Sequence, residues 1–477
     1  MSSHHARRAL MRVFAPLARL ASGWASDVSI EIDSDGTIER IEPSSPRGDA
    51  MLLAGPVLPG MPNAHSHVFQ RAIAGATERR AGSADDFWTW REKMYGVLAA
   101  LDPDAFEVIA AATFVEMLRG GYTSVAEFHY LHNDRDGTPY ANKAELAERV
   151  IAAAEASGIG LTLLPVLYQT SDFGGAAPTF GQRRFIMPTD AFLTLVQKLE
   201  RFALDRPLLR VGVAPHSLRA VTPAALATVV DFAAESDMPV HLHIAEQERE
   251  VEASIAWSGQ RPLAWLLERF AVDRRWTLVH ATHADAGEVR DLAASGAVAS
   301  LCPTTEANLG DGIFPMPAYL LAGGTFAVGT DSNVALSASD ELRWIEYVAR
   351  LATRRRNVLA ENTGSVGERL YVAAARGGAR ALGQPIGTIA VGSRADLVVL
   401  DGSDPLLATA ATEELLDTYI FAVGSAAVRD VMVGGRWVIR ERMHAQDAAI
   451  RRDYTGALRS LRETFAASPE SNGLHQA

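Results

Sequence analysis

The chain has one cysteine, Cys302, among 477 residues. No intrachain disulfide is possible, and a reducing cytoplasm is the simplest compartment. No apolar run reaches the length needed to cross a bilayer. Bases are also in short supply: 45 Lys and Arg face 57 Asp and Glu, for a net charge of −12. That balance argues against a general nucleic-acid or membrane-surface binder, so neither partner is expected. It also means that an anionic ligand needs positive charge supplied locally. Internal repeats, a phosphate-binding Gly-Lys-Ser/Thr loop, a dinucleotide fingerprint and a Gly-x-Ser-x-Gly elbow are all missing.

The two ends read as β structure. Ala6 to Ala21 is Arg-rich and free of acids, like a transit peptide. Arg12, Pro16 and Arg19 interrupt it, so it reads better as a first strand. Val28 to Ile32 and Thr37 to Ile41 alternate apolar and polar residues around an Asp35-Gly36 turn. Far downstream, Gly387 to Ile389, Ala395 to Leu400 and Val428 to Ile439 have the same character. Neither set alone makes a stable sheet, so the ends are expected to pair. The expected units are residues 1–55 and 384–445, together one small β-sandwich module. Residues 56–383 form the main domain, and 446–477 a C-terminal helix with a disordered tail after Pro469.

Between the ends, eight short apolar runs alternate with helical segments such as Ala105 to Arg119, Lys143 to Ala156, Pro223 to Glu235 and Ala284 to Ala294. Eight such units predict an α/β fold, a (β/α)8 TIM barrel. Polar residues gather where each run ends, on the face where barrel active sites lie. The long stretch from 169 to 190 suits a lid or an idle insertion equally.

The first run ends in Pro59-Gly60-Met61-Pro62-Asn63-Ala64-His65-Ser66-His67. In an extended chain residues i and i+2 share a face, so His65 and His67 can present two imidazoles to one point. Alone, the pair fits two surface histidines as well. His243, His280 and Asp331 each have a plain structural explanation too, as core histidines or a helix cap. Jointly, His65, His67, His243 and Asp331 would converge on one barrel mouth with three nitrogens and one carboxylate. That is a shell for one Zn²⁺ per chain with a position left for water. The residues themselves thus reach a one-metal barrel hydrolase.

Those motifs resemble the amidohydrolase superfamily over nearly the whole chain. Pro59 to His67 resembles its first metal motif, and Ile386 to Leu397 its returning C-terminal motif. Binuclear members carry a bridging lysine at the end of strand four. Here that strand ends in Ala214-Pro215-His216-Ser217, as in the one-metal, deaminase-like branch. The branch's His-x-x-Glu after strand five is matched by His243 and Glu246. Phe69 to Ala72, Phe87 to Arg91, Pro215 to Arg219, Cys302 to Gly312 and Gly329 to Asn333 are similar to members acting on N-formimino-L-glutamate in histidine degradation. The resemblance implies hydrolysis of the formimino C=N group to N-formyl-L-glutamate and ammonia. It further implies Glu246 as proton shuttle, with His280 and Asp331 orienting the water. A homodimer is implied as well.

Such a substrate carries two carboxylates, which planar guanidinium groups bind best. Arg91 and Arg219 are the candidates, with Gln70, Tyr130 and His216 completing the hydrogen bonding. Each arginine would equally suit a surface ion pair, and Trp88 and Trp90 read as packing residues. The open alternatives are a relative of the same branch that deaminates a purine, pterin or triazine, and a barrel retained only for binding.

Overall fold

A computed structural model of the protein describes residues 11–78 and 86–467. The start of the Arg-rich segment and the tail after Pro469 lie outside those residues.

The eight expected barrel strands are present. They are Met61–Ser66, Tyr122–His129, Gly160–Leu167, a fourth in two pieces (Leu209–Val211 and Ala214–Pro215), Val240–Ile244, Trp276–His280, Val298–Leu301 and Thr325–Val328. All neighbours pair in parallel. Single bridges join Val213 to Val240 and Ser217 to His243, linking strand four to strand five. A further bridge between Ser66 and Asp331 closes the barrel from last strand to first. Strand four is interrupted at Gly212, whose N–H still donates to the Leu163 carbonyl at 2.9 Å and where a Cβ would lie 2.8 Å from the Pro239 carbonyl oxygen.

Helices lie outside, as the 3.6-residue spacing predicts. Pro103–Arg119, Glu145–Ser157, Pro223–Glu235 and Ala286–Ser295 match the expected segments within about two residues at each end. Side chains set their limits. Thr222 and Asp285 cap first turns, and left-handed Gly158 and Gly296 end two of them.

The two ends of the chain do pair. Strand Val57–Pro59 lies between Met11–Leu20 and Leu397–Leu400, so nine strands form one continuous sheet. Its core is its own: Val13, Val28, Ile30 and Ile32 bury against Leu397, Val399 and Met432. Gly387 to Ile389, expected as a strand, instead makes one bridge to Leu20. Gly387 sits at φ 73, a left-handed turn that no strand accommodates.

A buried ion pair pins the module to the barrel. Arg394 donates to Asp396 at 2.9 and 2.7 Å and to Ser124 Oγ on barrel strand two, and Asp396 also accepts from Gly434 N at 2.9 Å. Replacing Asp396 by Ala leaves Arg394 buried without its counter-charge. The expected cost is about 3–5 kcal/mol, read as a clear fall in Tm. An unchanged Tm would show that the pair does not hold the module.

The stretch from 169 to 190 is tied down in its second half. Arg184 is buried and donates to the carbonyls of Leu98, Leu101 and Asn133. Gln182 donates to Tyr168 Oη at 2.8 Å.

Candidate functional site

The metal group assembles from strand ends. Asn63 and His65 alternate along barrel strand one, His67 follows directly after its end, and all three are buried. Asn63 fixes that strand against the last, donating to Thr330 Oγ1 at 2.7 Å and accepting from Thr330 N at 3.1 Å. Gly329 lets the two backbones meet, since a Cβ there would lie 2.9 Å from both His65 N and His65 O. Asp331 lies two residues on, with its backbone in the left-handed region at φ 45.

Three imidazole nitrogens point at one another. His65 Nε2 lies 3.1 Å from His67 Nε2 and 3.0 Å from His243 Nε2. Asp331 Oδ1 is 3.5 and 3.3 Å from the Nε2 atoms of His65 and His67. Four donors around a tetrahedral Zn²⁺, each at about 2.0–2.1 Å, lie about 3.3 Å apart. The donor set and its spacing therefore fit one small divalent ion.

The outer contacts aim the rings. His67 Nδ1 meets the Phe128 carbonyl at 3.0 Å, and His243 Nδ1 meets that of His216 at 3.2 Å. A proton on each Nδ1 satisfies the carbonyl and leaves the Nε2 lone pair facing inward. Burial keeps the rings uncharged: it pulls His65 down to about 3, lowers His67, and drives His243 well below its ordinary value. Burial pushes the other way on Asp331. The hydrogen bond from His65 and the surrounding histidines win, and hold it well below the usual carboxylate range. Neutral imidazoles beside an ionised carboxylate are the protonation states a metal needs.

Beside this group stand Glu246 and His280, both buried. His280 Nε2 is 3.9 Å from Glu246 Oε1 and 3.8 Å from Asp331 Oδ2. Its Nδ1 is 3.2 Å from Glu306 Oε1. Burial lowers the His280 pKa, but Glu246, Glu306 and Asp331 outweigh it and push it up to about 10. Burial raises the Glu246 carboxyl to about 7 despite the pull of His280. A carboxyl at that value can both take and give a proton near neutrality. The backbone here is left-handed at Ala245 (φ 50), His280 (φ 67) and Ala281 (φ 50). Three non-glycine residues held there carry strain at the strand ends that aim Glu246 and His280.

Among the sequence candidates, all but His65 line one cavity above the metal group. His65 is fully buried beneath it. Gln70 donates to Tyr130 Oη at 3.0 Å, which leaves its own carbonyl oxygen buried without a partner. The Nε atoms of Arg91 and Arg219 are likewise buried and unpartnered among the described residues. His216 is kept neutral by burial and by Arg219.

The structure also brings in residues the sequence did not single out. Tyr95, Tyr168 and Phe185 wall the cavity. Glu306 holds His280 and accepts from Cys302 N at 2.9 Å. Trp90, expected to be packing, lines the cavity, and Trp88 stacks under guanidinium groups. Glu306 lies within a segment that already resembled the family. The aromatic wall has no comparable signal, because its members come from separate segments: helix Phe87–Ala100, the end of barrel strand three and the 169–190 stretch.

Comparison with known proteins agrees with this geometry. The description "Amidohydrolase family" matches residues 57–438, and "Formimidoylglutamate deiminase HutF, N-terminal domain" matches residues 1–49. The chain is 54% identical to a formimidoylglutamate deiminase of Pseudomonas aeruginosa over 450 residues, 94% of this chain and 99% of that one. The crystal structure of an amidohydrolase from Brucella melitensis superposes with a TM-score of 0.91 at 45% identity, covering 95% of this chain and all of that one. An adenosine deaminase from Xanthomonas campestris with bound zinc superposes at 0.78 and 26% identity, covering 96% and 99%. A family match across the barrel and over half identity along almost the full length place this chain in the amidohydrolase family.

Proposed function

We propose that the protein is a metal-dependent deiminase that hydrolyses the formimino group of N-formimino-L-glutamate, giving N-formyl-L-glutamate and ammonia. The observation that carries the reading is the pair of arginines, Arg91 and Arg219, whose buried Nε atoms have no partner among the described residues, in the cavity that also holds Glu246. A purine, pterin or triazine offers no two carboxylates to satisfy them. The 54% identity to a named formimidoylglutamate deiminase points to the same substrate.

His65, His67, His243 and Asp331 would hold one divalent ion, read as zinc from the donor set and the zinc-bearing relative. A bound ion of that kind lowers the pKa of water from about 15.7 to roughly 7 and polarises the C=N group. The chain's own residues do the rest. Asp331 and His280 orient the water. Glu246 accepts a proton as the water oxygen bonds to the formimino carbon. It returns that proton to the terminal nitrogen as the C=N bond becomes single. The remaining hydroxyl proton then passes by way of Asp331 and Glu246 to the same nitrogen, the C–N bond breaks, the oxygen becomes the formyl C=O, and ammonia leaves. Arg91 and Arg219 each pair with a substrate carboxylate, while Gln70, Tyr130 and His216 complete the hydrogen bonding. The family resemblance supports a cytoplasmic homodimer, which sedimentation of the purified protein checks.

Ammonia release across N-formimino-L-glutamate, guanine and cytosine tests the reading; release from either base and none from the formimino substrate would overturn it. The expected metal content is one ion per chain. His243→Ala removes one of four ligands and should lower both metal content and activity. Two tightly held ions per active chain would overturn the shell.

A further inference from the structure

The cavity continues outward into a second cleft. Arg91 and Arg219 are walls common to both, and the outer part adds Trp88 and Arg249. The guanidinium carbons of Arg91, Arg249 and Arg219 lie 4.4, 4.6 and 5.9 Å from the centre of a Trp88 ring. None of the three has a carboxylate oxygen within 4.0 Å among the described residues. Three like charges around one indole repel each other, and the π face offsets only part of that.

Acids do share the outer cleft, and Glu250 favours the Arg219 charge, but none of them lies within ion-pair distance of the three guanidinium groups. Glu250 accepts the backbone N–H groups of Ala245 and Glu246, each at 3.2 Å. Asp172 accepts from Phe173 N at 2.8 Å. Glu92 is the third. Arg249 itself is exposed and is the second residue of helix Glu248–Ser258. The unpaired N–H groups at a helix start disfavour a cation there. Helix stability therefore does not explain this arginine. Its position does have a chemical use, because it extends the Arg91 and Arg219 pair to the solvent side of the cavity in a chain of net charge −12.

We propose that Arg249 is a specificity-determining residue, a third guanidinium resting on Trp88 at the mouth of the cavity that meets a substrate carboxylate before Arg91 and Arg219 bind it. The proposal rests on the deiminase reading above. An exposed charge at the mouth strengthens capture of a dianion without touching the reacting carbon. Its effect falls on KM and fades as salt screens it.

Steady-state kinetics of wild type, Arg249→Gln, Arg249→Lys and Arg249→Glu, at low and high salt, test it. With N-formimino-L-glutamate at low salt, the Gln variant should show a KM raised about three- to tenfold at similar kcat. The Glu variant should be worse, and the Lys variant should recover most of the loss. At roughly 0.5 M salt, where screening acts within about 4–5 Å, the differences should shrink to about twofold or less. Equal KM and equal salt dependence in wild type and Gln variant would overturn the proposal. So would a loss that persists at high salt, which marks a structural role. Wild type that releases no ammonia from this substrate would instead remove the deiminase reading, and this proposal with it.

Discussion

Glu246→Gln should lower turnover by about 10²–10⁴-fold, the usual contribution of a general acid–base group, and leave metal content unchanged. Glu246 stands beside the metal group, three residues past His243, and is not one of its four members. Its basic partner, His280, is 3.9 Å away, a long ion pair beyond hydrogen-bond distance, and the carboxylate lines the cavity. Glutamine keeps the size and one carbonyl acceptor but cannot take a proton. The substitution therefore separates proton transfer from metal binding. Near-native turnover in this variant would mean that another group moves the proton. Metal loss would mean that Glu246 supports the shell.

Arg219→Met should lower kcat/KM for N-formimino-L-glutamate by roughly 30-fold to several-thousand-fold, with metal retained. Removing one side of a buried charge pair costs about 2–5 kcal/mol, at about 1.4 kcal/mol per tenfold. Arg219 is only 6% exposed. Burial penalises its charge, but Glu250 and Tyr168 outweigh that and raise its pKa, so it stays charged in a dry site. Arg91→Met should behave alike. The informative comparison adds the two mono-amide analogues of the substrate. Each variant should lose least on the analogue that lacks the carboxylate its arginine binds. Equal losses on all three compounds would show that the arginines support the fold and do not read the substrate.

Much of this was legible in the sequence because it is local. A His-x-His at a strand end fixes which face two imidazoles share. Apolar runs ending in His243, His280 and Asp331 name the strand and the side of the barrel. Helix limits follow from Thr222, Asp285 and the glycines that end helices. What stayed hidden depends on contacts between distant segments. Glu306 reaches His280 across 26 positions, so the motif around it marked the segment but not the histidine it holds. Trp88 looked like packing because two of its three guanidinium neighbours, Arg219 and Arg249, come from distant parts of the chain. The alternation around Gly387 suggested a strand, whereas its φ of 73 turns the backbone out of one.

The closure of the barrel also bears on how the protein is made. Asn63 and Thr330 touch across the seam although 267 positions separate them. His65 and His67 lie beside one of these residues and Asp331 beside the other. At about 5–20 residues per second, on the order of 15–50 s of synthesis separates the two sides of the shell. During that interval the two early histidines lack both His243 and Asp331, or Asp331 alone. A nascent chain therefore has no complete metal shell until its eighth barrel strand has emerged. Strand Leu397–Leu400, which pairs with Val57–Pro59, comes later still. A product truncated before residue 331 has neither a closed barrel nor a fourth ligand, so premature termination yields no partly active enzyme.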